Sequence, residues 1–186
     1  MLNINHIETG NYVNGTGKRL VIWFQGCHFH CINCGNPDTW SFVEKNLYSV
    51  QDLFNIIINE SLLDGITFSG GEPFLQAKEL AELAKEIKTH TNLTIQSFTG
   101  FELDEITESS QKELLQYIDT LIYGRFDSTK PQNNQKIWHN PNGNDNWQFN
   151  NSDIEIDLDI NGYASLSGFP NSDFIKMIKD IQNERI

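Results

Sequence analysis

The stretch RLVIWFQGCHFHCINC, residues 19–34, decides how this chain is read. Its first half, RLVIWFQ at 19–25, is an apolar run of strand length, rich in β-branched and aromatic residues. Its second half is a loop holding every cysteine of the chain: Cys27, Cys31 and Cys34. A buried strand therefore empties into a cluster of thiols.

The pattern outward from this unit is strand and helix in turn. Ser49-Val50-Gln51-Asp52 reads as a capping box. It opens a helix in which Leu53 and Ile57, and Phe54 and Ile58, lie four apart. GITFS at 65–69 is a second strand, ending in Gly70-Gly71. Residues 75–89 are amphipathic, with Leu80, Leu83, Ala84 and Ile87 on one helical face. LTIQSF at 93–98 is a third strand, a helix follows from about 103 to 117, and DTLIY at 119–123 is a fourth strand. Strands alternating with helices imply βα units around a parallel sheet, an α/β fold.

The character then changes. Residues 127–152 are crowded with Asn, Gln, Pro and Gly and read as a long polar loop. Beyond it Ile154, Ile156, Leu158 and Ile160 alternate with acidic residues. Asn161-Gly162 supplies a tight turn and Tyr163–Ser167 returns, which predicts a C-terminal β-hairpin with one buried face. A short helix from Asp173 is expected to bury Phe174, Met177 or Ile178, and Ile181. No internal repeat interrupts residues 1–186, so they form one domain: a core at about 17–125, the polar loop at 127–152, and the hairpin and helix at 153–186.

Composition excludes several functions. The chain has 186 residues, enough for a sizeable core, and a net charge of −12. Its few basic residues are scattered, so no face tracks a nucleic-acid backbone. No apolar run is long enough to span a membrane. MLNINHIETG lacks the basic and apolar regions of a secretory signal, which makes the cytoplasm the expected compartment. An odd number of cysteines argues against a disulfide framework.

Three uses of the C-x3-C-x2-C thiols compete. They could be buried core residues, but the loop holds Gly, His and Asn rather than hydrophobes. They could bind zinc with one of the five histidines, although no second cysteine pair is present. They could hold three irons of a [4Fe–4S] cubane, which takes four thiolates when fully ligated, leaving one iron open. Thr67-Phe68-Ser69-Gly70-Gly71-Glu72-Pro73 adds a second feature. Paired glycines let backbone approach a ligand. The Glu72 carboxylate can accept from an ammonium group, and Pro73 fixes the chain direction. Alone, this could be a turn before a helix.

Together, Cys27, Cys31 and Cys34 and the word Gly70-Gly71-Glu72-Pro73 resemble the radical SAM enzymes, over most of the chain up to about residue 125. The resemblance implies a minimal partial (β/α) barrel. It implies a [4Fe–4S] cluster on the three cysteines, with the methionine amine of S-adenosylmethionine at Gly70, Gly71, Glu72 and Pro73. It also implies reductive cleavage of that cofactor to methionine and a 5′-deoxyadenosyl radical, which abstracts hydrogen from a substrate. The aromatic residue common before the third cysteine is replaced here by Asn33.

Gly15-Thr16-Gly17-Lys18-Arg19, Trp23-Phe24-Gln25-Gly26-Cys27, Asn36-Pro37-Asp38-Thr39-Trp40, Thr99-Gly100-Phe101 and Asn134-Gln135-Lys136 narrow the likeness. They are similar to words in the activating enzymes of glycyl radical proteins, those of anaerobic ribonucleotide reductase above all. That implies a glycyl radical enzyme as partner and an electron donor such as flavodoxin or ferredoxin. It places Asn36 at the adenosine side of the cofactor, and Ser97 and Thr99 at the methionine carboxylate or ribose, since ligands of α/β sheets gather at strand ends. Trp40 packs the loop, and His28 and His30 face the cluster's surroundings or solvent. Tyr123 stands where relatives carry Asp, which removes a ribose contact. Two other outcomes stay open: the same radical chemistry on a small molecule, nucleotide or ribosomal peptide, and a non-catalytic zinc-binding module.

Overall fold

The computed structural model describes residues 1–127, 129–130, 134–148, 154–158, 164–168 and positions 173, 174, 176 and 177. A seven-stranded mixed sheet runs in the order β3-β1-β2-β4-β5-β6-β7. Its centre is four parallel strands: β2 (Arg19–Phe24), β4 (Gly65–Gly70), β5 (Thr94–Phe98) and β6 (Thr120–Tyr123). Antiparallel strands flank them: β1 (Leu2–Asn11) and β3 (Asn46–Tyr48) on one side, β7 (Lys136–His139) on the other.

The helices connect the parallel strands. Ser49 caps α1 (Val50–Asn59): its hydroxyl accepts from the Asp52 amide, and the Asp52 carboxylate accepts from the Ser49 amide. Leu53, Phe54 and Ile57 are buried, whereas Ile58, expected on the same face, is half exposed. A 3-10 turn at Pro73–Gln76 leads into α2 (Ala77–His90), which buries Leu80, Leu83, Ala84 and Ile87. The expected single helix at 103–117 is instead a 3-10 turn, Leu103–Glu105, and then α3 (Ser109–Tyr117).

Strand alternation sorts the sheet into two faces. Leu20, Ile22, Phe24, Ile66, Phe68, Ile95 and Leu121 pack with the helices into the hydrophobic core. Each such side chain is worth about 1.5–3 kcal/mol of burial. The opposite face carries Arg19, Val21, Trp23, Thr67, Ser69, Gln96 and Thr120, buried but largely polar.

Arg19 organises one end of that face. It is fully buried, and all five of its N–H donors are used. Nε donates to Thr67 Oγ1, Nη1 to Thr16 O and Thr94 Oγ1, and Nη2 to Ile66 O and Thr94 O. Among the described residues none of these partners is a carboxylate. Burial therefore pulls the Arg19 pKa down to about 10, against the more distant Asp145, Asp119 and Asp64. Gly15 and Gly65 leave the space it fills; a Cβ on either would come within 2.5 and 2.3 Å of it.

Two expectations for the C-terminal third need correction, and a third is met only in part by the described residues. Residues 127–152 are not one loop, because β7 pairs Ile137 with Ile122 and Trp138 with Leu121. The hairpin forms, β8 (Ile154–Leu158) against β9 (Ala164–Gly168), but Ile156 is half exposed rather than buried, and the Asn161-Gly162 turn lies outside the described residues. Of the expected terminal helix, positions 173, 174, 176 and 177 are helical, with Phe174 half buried and Met177 half exposed; Ile178, the alternative to Met177, and Ile181 lie outside the described residues. Among the described residues no helix is long and apolar enough to cross a membrane.

Candidate active site

The cysteine loop leaves the sheet at the end of β2 and is pinned before it turns. The Gly26 amide donates to Thr39 O at 2.7 Å and the Cys27 amide to Trp40 O at 3.1 Å. Cys27 is buried; Cys31 and Cys34 are half buried, and all three are free thiols. His30 and Asn33 hold left-handed backbone, with φ of 46° and 53°, which folds the loop back on itself. That is a local reason for Asn, rather than an aromatic residue, before Cys34.

Backbone amides already point at the sulfurs. The Phe29 and His30 amides favour the thiolate of Cys27 and the Phe126 amide that of Cys31, and the Asn36 amide donates to Cys34 Sγ at 3.3 Å. Burial nevertheless pushes the Cys27 and Cys31 thiols up, with the amide donors opposing. Iron must therefore displace protons to bind them as thiolates.

The Gly70-Gly71-Glu72-Pro73 segment lies directly beside the loop. The Gly71 amide donates to Phe24 O at 2.8 Å and the Glu72 amide to Gly26 O at 2.9 Å, extending the β2–β4 pairing past the strand ends. The paired glycines permit this approach: a Cβ on Gly70 would lie 2.6 Å from the Phe24 nitrogen, and one on Gly71 2.5 Å from the Gly26 oxygen. Gly70 also has φ of 92°.

Glu72 is 1% exposed. Its Oε1 accepts from the Phe74 amide at 2.9 Å and from Thr99 Oγ1 at 2.8 Å; its Oε2 accepts from the Gly100 amide at 2.7 Å. Burial raises its pKa to about 7 despite these donors. A carboxylate has about four acceptor sites, so Oε2 keeps one for a further donor. Pro73 is buried at the start of the following 3-10 turn.

Thr99 is thus held against Glu72. Ser97 is not: alternation puts it on the helix-facing side with Ile95, and its hydroxyl donates to Phe98 O at 3.3 Å. Asn36 sits just past Cys34; its carbonyl accepts from Thr39, and its side chain caps nothing.

Sequence reading missed the far wall of the site. The segment after β6 reaches the cysteine loop. Besides the Phe126 amide on Cys31, the Arg125 guanidinium lies 4.5 Å over the Phe29 ring, and Phe29 packs edge-on against Phe101. Arg125 is itself held by both oxygens of Glu105. Asn134 and Gln135 brace this segment. Asn134 donates to Arg125 O and accepts from the Asp127 amide, both at 2.7 Å, and Gln135 donates to Gly124 O at 2.8 Å. The Asn-Gln-Lys word was visible in the sequence, but this clamp was not. Lys136 lies over the Tyr123 ring and pairs with Glu102.

The histidines are engaged elsewhere. His6 stacks on Trp23, His28 meets Phe29 tilted and Phe101 edge-on, and His30 meets Trp40 edge-on. His90 pairs with Glu86, and His139 lies between Thr120 and Gln148. Among the described residues no three His, Cys, Asp or Glu side chains converge as for a single metal ion, so the three free thiols of this loop suit a larger cluster held by cysteine.

Comparison with known proteins agrees. A family model described as a 4Fe-4S single cluster domain matches residues 13–146. The chain is 27% identical over 154 residues to the anaerobic ribonucleoside-triphosphate reductase-activating protein of Enterobacteria phage T4, covering 76% of this chain and 97% of that protein. It is 36% identical over 134 residues to the protein of that name from Vibrio cholerae, covering 67% and 84%. It is 32% identical over 123 residues to the pyruvate formate-lyase-activating enzyme of Clostridium pasteurianum, covering 62% of this chain and about half, 52%, of that enzyme. The chain belongs to the 4Fe-4S single cluster domain family, as a radical SAM enzyme of the activating type whose cofactors are a [4Fe–4S] cluster and S-adenosylmethionine.

Proposed function

We propose that this enzyme reductively cleaves S-adenosylmethionine and takes a hydrogen atom from a glycine of a partner glycyl radical enzyme, such as an anaerobic ribonucleotide reductase. The carrying observation is the single hydrogen bond from the Glu72 amide to Gly26 O. It fixes the candidate amine site one residue from the first cluster cysteine, so a cofactor held at one is delivered to the other.

Cys27, Cys31 and Cys34 hold the cluster. The bound cofactors supply the one-electron chemistry and the hydrogen-abstracting radical. The chain's own contribution is placement. An ammonium group has donors only, so its partners are the Gly70 and Gly71 carbonyls and the free site on Glu72 Oε2. Binding an ammonium there favours the charged carboxylate against the burial that raises its pKa. Thr99 holds Glu72 in position, and Asn36 meets the adenosine side. Ser97, facing the helices, takes no part. The parallel strands β2, β4, β5 and β6 form the wall of a partial (β/α) barrel, and the electron donor, a flavodoxin or ferredoxin, delivers to the cysteine loop in the cytoplasm.

The test is anaerobic reconstitution with iron and sulfide, then reduction with S-adenosylmethionine present. 5′-Deoxyadenosine should form and be lost in Cys31→Ala. With an anaerobic ribonucleotide reductase added, an electron paramagnetic resonance doublet from a glycyl radical should appear. Deoxyadenosine without that doublet would reject the partner; neither product would reject the activity.

A further inference from the structure

Among the described residues, two buried side-chain polar atoms have no hydrogen-bond partner: Gln96 Oε1 and Trp40 Nε1. A buried donor or acceptor left unpaired costs about 1–3 kcal/mol, so each calls for an explanation. Gln96 faces the polar side of the sheet, where its Nε2 donates to Asn14 O. Trp40 is bound to the cysteine loop itself. Its carbonyl accepts from the Cys27 amide, its amide donates to Pro37 O, and its ring meets His30 edge-on at 4.7 Å. His30 lies between the first two cysteines, and its own amide is on the Cys27 sulfur.

The Phe29, His30 and Phe126 amides act on the sulfurs of Cys27 and Cys31, and the Asn36 amide donates to that of Cys34. The Trp40 N–H is one more donor on this loop, and among the described residues it is the one buried side-chain donor with nothing to donate to. A three-cysteine cluster brings inorganic sulfide and thiolate acceptors to this loop. We propose that the Trp40 indole N–H donates to a sulfur of the bound cluster and raises its reduction potential. A hydrogen bond to sulfur stabilises the more negative, reduced form more than the oxidised one. Trp40 is a tuning residue in this role: it neither ligates iron nor touches the transferred hydrogen.

The inference rests on the cysteines holding a cluster, so the experiment reports on the two separately. Wild type, Trp40→Phe and a protein with Trp40 replaced by benzothienylalanine are reconstituted anaerobically. That last side chain keeps the indole shape and puts sulfur in place of the N–H. Iron content is measured first, and then the midpoint potential, by paramagnetic resonance titration without S-adenosylmethionine. The expected result is full iron in the wild type and the benzothienyl protein, with the latter about tenfold harder to reduce, about 59 mV lower for one electron. Trp40→Phe should shift the same way; if it loads poorly, the benzothienyl protein decides. An unchanged potential in that protein would overturn the inference and leave Trp40 a packing residue. A wild type that takes up no iron would overturn the cluster reading, and this inference with it.

Discussion

Glu72 Oε2 accepts the Gly100 amide at 2.7 Å, so the residue just past β4 and the turn just past β5 are one hydrogen bond apart. The bond is made by a carboxylate that burial holds at a pKa of about 7. Its folded value lies above its unfolded value of 4.5. The folded chain therefore keeps a proton that the unfolded chain has released, and stability falls as pH rises from about 4.5 to 7. The cost is on the order of 3 kcal/mol. Glu72→Gln should remove that slope, which urea unfolding of the cluster-free protein at pH 5 and pH 8 would reveal. Identical slopes in the two proteins would refute the assignment.

Arg19 supports the prediction for the polar face of the sheet. Arg19→Met leaves Thr16 O, Ile66 O and Thr94 O without their guanidinium donors. The expected loss is about 3–5 kcal/mol in urea unfolding. Arg19→Lys should recover little of it, because an ammonium cannot reproduce the planar fork.

The Asn134 clamp can be read by hydrogen exchange. Asn134→Ala frees the Asp127 amide and the Arg125 carbonyl. Amides 124–127 should exchange about tenfold faster or more, with a global loss of about 1–2 kcal/mol. Unchanged exchange there would mean that Gln135 alone holds the segment.

Iron removal should loosen the loop and spare the sheet. The Gly26 and Cys27 amides are fixed by backbone carbonyls, so the loop's root needs no metal. Among residues 28–36 backbone support is sparse: the Cys34 amide donates to Cys31 O, and Asn36 O accepts from Thr39. Chelation should speed proteolysis between 28 and 36 while far-ultraviolet circular dichroism stays constant. A global loss of ellipticity would show instead that the cluster holds the whole fold.

The parallel core was legible in the sequence because each strand sets apolar residues such as Leu20 and Ile22, Ile66 and Phe68, Ile95 and Leu121 toward the helices, and α1 and α2 keep a helical period. The Ser49 capping box forms as read. β1 was missed because Asn5, His6, Glu8 and Asn11 break its apolar pattern. Asn5 and Asn11 are nonetheless buried, and Asn5 is compensated by a 2.7 Å bond to Gln25. β7 was missed because four residues within a polar stretch become a strand only by pairing with β6. The cysteines and the Gly-Gly-Glu-Pro word were visible as local patterns. The bonds from Glu72 to Thr99 and from Phe126 to Cys31 were not, since each joins residues far apart in the chain.

The contact of Phe126 with Cys31 also sets an order of assembly during synthesis. Cys27 leaves the ribosome with its strand, but its loop lacks a far wall until residue 126 follows. At about 5–20 residues per second, that delay is on the order of 5–20 seconds. For that interval the thiols are exposed to oxidants, and a complete receptacle for iron exists only after β6 has been made.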